Sequence, residues 1–116
     1  MLAAAGSSDV RAVDDCRAVG RRLAARFERP VAVGFLSAAR PSVADAIART
    51  RATHPVSRVM VATYLLAPGY FHELAVASGG DVTTAPILPA DAAPAPSLVG
   101  LVLDRYAEAV ALSLAA

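Results

Sequence analysis

Two spacings of apolar residues alternate along this chain. Short continuous runs, Leu2–Ala5, Val31–Leu36 and Val59–Leu66, have the length of strands and carry no internal charge. Between them, apolar residues recur three and four positions apart. Val10, Val13, Cys16, Val19, Leu23 and Phe27 form one stripe, and Arg11, Arg17, Arg21, Arg22 and Arg29 fall mostly off it. Asp9 stands at the head of this helix. In the next helical segment Val43 and Ile47 share a face. Ser42 and Asp45 at its start resemble a capping box with the acid in the first turn. "FHELAVAS" reads as a short helix that stops at Gly79-Gly80, and "DVTTAPIL" as a weaker fourth strand. Pro89–Ser97, "PADAAPAPS", is an Ala/Pro loop. From Leu98 the residues Leu101, Val102, Tyr106, Val110 and Leu114 mark a final helix.

The order is therefore β-α-β-α-β-α-β-α. Strands with so little alternation are expected to be covered on both faces, which implies a parallel sheet between two helical layers. The expected fold class is α/β: a small three-layer domain with a four-stranded parallel sheet, helices on both faces and right-handed crossovers. A length of 116 residues suits one domain spanning 1–116.

Composition narrows the function classes. The chain is 56% hydrophobic, so a packed core is expected rather than disorder. A net charge of +1 gives no drive toward nucleic acid or an acidic membrane surface. All eleven basic residues are Arg, whose planar fork suits carboxylates. No apolar run reaches membrane-spanning length. "MLAAAGSSD" lacks the basic start and long apolar core of a signal peptide, so a cytoplasmic location is expected. Cys16 is a lone cysteine within an apolar stripe and is expected to be buried.

In an open parallel sheet, ligands bind beyond the carboxyl ends of the strands. Three segments fall there: "GSSD", "SAARPS" and "APGYFHEL". Gly6, Ser7 and Ser8 could cradle an anion at a helix start, or form a plain turn with Ser8 or Asp9 as N-cap. His72 follows the Pro68-Gly69 turn. An imidazole there can serve as a ligand or as a base, or it can be a half-exposed helix-start residue. Glu73 could orient it or act as a first-turn acid. Tyr70 could stack on a flat ligand, and Arg40 could reach an anionic one. His54 belongs to a polar turn at the opposite end of the sheet, with no chemical role. One histidine is too few for a structural metal, but an open, transient site remains compatible with the sequence.

The segments "FLSAARPSVADAI", "VMVATYLLAPGYFHEL" and "LVGLVLDRYAEAV" resemble the sirohydrochlorin chelatase (CbiX-like, class II chelatase) family, in the same order and over most of the chain. "LAPGYFH" is the most specific piece. The resemblance implies a chelatase-like fold and a lyase that inserts cobalt(II) or iron(II) into sirohydrochlorin, on the routes to cobalamin and siroheme. The metal is then a substrate, and no tightly bound cofactor is expected. Two such domains, fused or as a homodimer, make the active enzyme. The family places a histidine where this chain has Ala5, and often a glutamate where it has Ser37. His72 is kept. This pattern is similar to the second half of a two-domain actinobacterial-type member.

The resemblance assigns His72 and Glu73 to catalysis and His72 to the metal. It assigns Ser7, Ser8, Arg40 and Tyr70 to the tetrapyrrole. Implied partners are the tetrapyrrole, the divalent metal and a second chelatase domain, with no nucleic acid and no membrane. The alternative is a half-domain that has lost catalysis and binds tetrapyrrole or a partner domain.

Overall fold

The computed structural model describes residues 1–115. They form four strands and four helices in the expected alternation: β1 (Leu2–Ala4), α1 (Val10–Phe27), β2 (Val33–Phe35), α2 (Val43–Thr53), β3 (Met60–Tyr64), α3 (Tyr70–Ala77), β4 (Val82–Thr83) and α4 (Pro96–Ala115). The strands make one parallel sheet in the order β2-β1-β3-β4. Each strand is shorter than its apolar run, because pairing ends where the chain turns toward a helix.

β1 is one of the two inner strands, and all three of its residues are buried. Ala3 shares one core with Val43, Ile47, Val59 and Val61, beneath α2. Ala4 shares the other with Val13 and Phe35, beneath α1. Successive side chains of a strand point to opposite faces, so α1 and α2 lie on opposite sides of the sheet. The direction of the crossovers explains this. The chain steps from β1 to β2 one way and from β2 across to β3 the other way, and crossovers of one hand then alternate faces. Gly80, just after α3, lies against the side chain of Val61 and so belongs to the α2 side.

The helix starts follow their sequence signals. Asp9 caps α1 by accepting from Arg11 N at 2.9 Å. Ser42 caps α2 by accepting from Asp45 N at 3.1 Å. Pro96 opens α4, where its missing N–H costs no helical bond. The α1 stripe is buried only in its middle, since Val10 and Phe27 at its ends are exposed. Cys16 is half-buried against the α1 core rather than enclosed.

Two-sided cover of β3 is corrected by the structure. Val61 and Thr63 are buried, but Met60 and Tyr64 are exposed. The reason is α4. Its apolar residues do not return over the sheet; Val102, Tyr106 and Leu114 are all exposed. The α1 side of β3 and β4 is thereby left open, and the molecule extends 56 Å along its long axis. No helix among the described residues is long and apolar enough to cross a membrane.

Asp81 ties the amino ends of the last two strands. Its carboxylate accepts from Val59 N at 2.6 Å and from the Arg51 guanidinium at 3.1 Å. The backbone bond, with the nearby arginine charges, holds the Asp81 carboxyl below its ordinary value despite some desolvation. A carboxyl lowered in the folded state stabilises above its unfolded pKa and loses that contribution as pH falls through the folded one. Asp81→Asn is therefore expected to be less stable than the parent at neutral pH. The gap should close as the pH drops below the usual carboxylate range of about 4. Urea midpoints at neutral and acidic pH check this; a pH-independent gap would contradict it.

Candidate functional site

The mouth of the sheet lies at the carboxyl ends of β1, β2 and β3. At the end of β1, Gly6 has φ +97° and sits so close to Ser37 that an added Cβ would collide with the Ser37 carbonyl oxygen. The chain can pass there only because position 6 has no side chain. Ser37 donates both its N–H, at 2.9 Å, and its hydroxyl, at 3.0 Å, to the carbonyl oxygen of Ala5. The loops after β1 and β2 are thus fastened together at the two positions, Ala5 and Ser37, that carry no ionisable group.

Beside this junction is a pocket of about 170 Å³ lined by Ala4, Ala5, Gly6, Ser7, Ala12, Val13, Cys16, Phe35 and Tyr64. Its wall is mostly apolar. Ser7 accepts from Asp9 N at 3.0 Å, which leaves its O–H proton to donate to a ligand. Ser8 is exposed beside it. Arg40 lies on the far side of Phe35, where residues 35–40 and Ser42 border a second hollow of about 400 Å³. Arg17 bridges the two regions. Its guanidinium lies 5.9 Å from the Phe35 ring centroid and donates to the Arg40 carbonyl at 3.3 Å. The Arg40 side chain itself is exposed.

His72 is positioned by a different set of contacts. Gly69, the N-cap of α3, has φ +153° and ψ −167°, a region open essentially to glycine alone. This turn reverses the chain so that Tyr70 begins the helix and His72 lies in its first turn. Tyr70 is the first residue of the helix and is exposed, with its ring centroid 6.0 Å from that of Phe71.

The His72 Nε2 lies 2.9 Å from the carbonyl oxygen of Thr84. A carbonyl only accepts, so Nε2 carries a proton and donates, and in the neutral ring Nδ1 keeps its lone pair. Thr84 is held in turn. Its hydroxyl accepts from Thr63 N at 3.0 Å and contacts the Thr63 hydroxyl at 3.2 Å. The Thr63 hydroxyl donates to the Ala85 carbonyl at 2.9 Å. A chain of polar contacts therefore runs from the buried Thr63 of β3, through Thr84, to the half-buried imidazole.

The structure thus divides the expected site residues between two places. Ser7 lines the β1 pocket, and Arg40 borders the neighbouring hollow. His72, Tyr70 and the exposed Glu73 stand on α3 and line neither of them. Among the described residues, no three His, Cys, Asp or Glu side chains converge as a metal-binding group. Sequence reading missed Thr63 and Thr84 as the residues that orient His72. Their signal was available: Thr63 is a polar residue inside an otherwise apolar strand. It also missed Tyr64, whose exposed ring lines the β1 pocket. His54 caps the end of α2 through its backbone N–H, which donates to the Thr50 carbonyl at 2.9 Å, and its Nδ1 lies 2.9 Å from the Thr53 hydroxyl.

The sequence profile of the CbiX family matches residues 1–78, which include β1 to α3 and every expected site residue. The chain belongs to the CbiX family. Membership in this class II chelatase family gives it a chelatase role in tetrapyrrole chemistry. No curated protein and no solved structure is significantly similar to the chain.

Two outcomes check this geometry. Long-range proton–nitrogen NMR spectra near neutral pH are expected to show the neutral His72 ring protonated at Nε2. A dominant Nδ1–H form would contradict the contact with Thr84. Gly69→Ala should lower stability by about 1–3 kcal/mol, through backbone strain alone. Nothing lies within 4 Å of the added Cβ, so no steric clash contributes.

Proposed function

We propose that this CbiX-family chain inserts cobalt(II) or iron(II) into sirohydrochlorin, in cobalamin or siroheme formation, acting as a homodimer or with a partner chelatase domain in the cytoplasm. The observation that carries the reading is the oriented His72 ring. It lies beyond the carboxyl end of β3, with Nε2 committed to the Thr84 carbonyl and Nδ1 left with its lone pair. Insertion requires that two pyrrole N–H protons leave as the metal enters. Nδ1 can accept one such proton and pass it to solvent before accepting the next, or it can hold the incoming divalent ion, for which imidazole is a suitable ligand. Glu73, one position on in the first turn of α3, can take up the released proton.

The rest of the mouth suits a flat, carboxylate-rich substrate. The exposed Tyr70 and Phe71 rings offer an apolar platform beside His72. Arg40 offers a planar cation, and Ser7 and Ser8 offer hydroxyl donors beside the β1 pocket.

A second reading is favoured by one specific contact. Ser37 gives both of its donors to the Ala5 carbonyl, so that junction holds the loops together and presents no group that could bind a metal or move a proton. On this reading the chain is a supporting half that binds tetrapyrrole or a partner domain without inserting metal.

Anaerobic incubation of the purified protein with sirohydrochlorin and cobalt(II), followed by absorbance, separates the two. The expected result is insertion above the spontaneous rate, reduced about 100-fold or more by His72→Ala. The spontaneous rate in both proteins would sink insertion by this chain alone. Sirohydrochlorin binding without turnover would then support the second reading.

A further inference from the structure

We propose, resting on the reading of His72 given above, that Thr84 is a positioning residue for metal insertion. Its hydroxyl takes the place of its own carbonyl in the sheet, and so frees that carbonyl to hold the imidazole. Thr84 lies beyond residues 1–78, the stretch that the CbiX profile matches. In a parallel pair, a residue that donates its N–H to the neighbouring strand also accepts, at its carbonyl, from the residue two positions further along that strand. Thr84 N donates to the Val61 carbonyl at 2.9 Å. The regular continuation would send Thr63 N to the Thr84 carbonyl. Thr63 N donates instead to the Thr84 hydroxyl, at 3.0 Å. The Thr84 carbonyl, relieved of the ladder, accepts from His72 Nε2 at 2.9 Å. Pairing of β3 with β4 accordingly ends at Val61 and Thr83.

The sequence breaks the ladder at this place. Two positions beyond Thr84, the next donor of a regular ladder would be Pro86, which has no N–H. The chain rejoins the β3 edge at Ile87, whose N–H donates to the Leu65 carbonyl at 2.9 Å. From Val61 to Leu65 is four steps, but from Thr84 to Ile87 only three, so residues 84–86 stand out of register. Their carbonyls go to side chains. The Ala85 carbonyl accepts from the Thr63 hydroxyl at 2.9 Å, and the Thr84 carbonyl accepts from His72. The Thr63 hydroxyl is also 3.5 Å from the Thr84 carbonyl, a distance at which the nearer Ala85 oxygen takes the proton.

Proton accounting makes the Thr84 hydroxyl specific. Thr63 gives its hydroxyl proton to Ala85, so the 3.2 Å contact between the two hydroxyls is donated by Thr84. The Thr84 oxygen thus accepts from Thr63 N and donates to the Thr63 oxygen at once. Valine has the same shape and can do neither. Without the hydroxyl, the Thr63 N–H inside the sheet still needs an acceptor, because a donor left unpaired there is costly. The acceptor that the ladder supplies is the Thr84 carbonyl. The sheet and the imidazole then compete for one oxygen.

An imidazole held through one ring nitrogen keeps the other in a fixed place. Released, the ring turns about its side-chain torsions, and Nδ1 meets the reacting atoms only part of the time. Thr84 touches neither substrate nor metal in this scheme and acts through His72 alone.

The test compares Thr84→Val and Thr84→Ser with the parent. Thr84 is exposed, and far-UV circular dichroism checks that both variants fold. The first readout needs no metal. Proton–nitrogen NMR follows exchange of the His72 Nε2–H with water, which should be about tenfold faster in Thr84→Val, as for a lost hydrogen bond, and close to the parent in Thr84→Ser. The second is cobalt(II) insertion into sirohydrochlorin. Thr84→Val should lower kcat about 10-fold or more with KM for sirohydrochlorin unchanged, and Thr84→Ser should restore it. Ring-proton exchange in Thr84→Val equal to the parent's would overturn the proposal, as would equal losses in the serine and valine variants. Faster exchange with undiminished insertion would overturn the role in the reaction. A parent that inserts no metal would sink the reaction itself, and the exchange comparison would still decide whether Thr84 holds the ring.

Discussion

The fold depends on the parallel pairing of β1 with neighbours on both sides. Leu2, Ala3 and Ala4 pair with Val33, Gly34 and Phe35 on one edge and with Ala62, Thr63 and Tyr64 on the other. Every one of the three is buried. Small residues at positions 3 and 4 let helices approach from both faces, so α1 and α2 can each build a core on a strand only three residues long. Because the strand is so short, the turns at its end are fixed directly by the sheet. Gly6 follows within two residues, and the Ala5 carbonyl is at once available to the loop after β2.

The mouth inherits its geometry from that frame, but its two parts are held differently. The β1 and β2 loops are joined by backbone approach and by the paired donors of Ser37. The histidine is joined to the sheet through hydroxyls, from Thr63 inside β3 to Thr84 beyond β4. A hydroxyl that both donates and accepts can bridge a backbone N–H and a second hydroxyl at once. The bonded Thr84 carbonyl then leaves a single possible tautomer for the neutral ring. The contact leaves the neutral ring its lone pair on Nδ1, the nitrogen that the proposed function uses.

Half of one sheet face lies outside this frame. Doubly wound sheets close both faces because each has its own crossover helices. Here the connections that reach β3 and β4 lie on the α2 side, and only the helix after β4 remains to cover the other. The proline-rich connection leads into a helix that does not cover it, and apolar residues of both the strand and the helix stay exposed.

Much of this was legible in the sequence, because it follows from local rules. Runs without charge marked the strands, and three- and four-residue spacing marked the helices. Ser42 with Asp45, and Asp9, marked helix starts that the structure keeps. Pro68 and Gly69 placed His72 at the mouth, since a turn after a parallel strand always opens there. Tertiary structure alone decided the rest. Whether Met60 and Tyr64 are covered depends on where a helix more than thirty residues later comes to lie. The bond from His72 to Thr84 spans twelve residues and selects a tautomer that no spacing encodes. The Ala5–Ser37 contact spans thirty-two and joins two positions whose side chains alone suggest no connection. Local periodicity records which residues avoid water; only the folded chain determines which surfaces they meet.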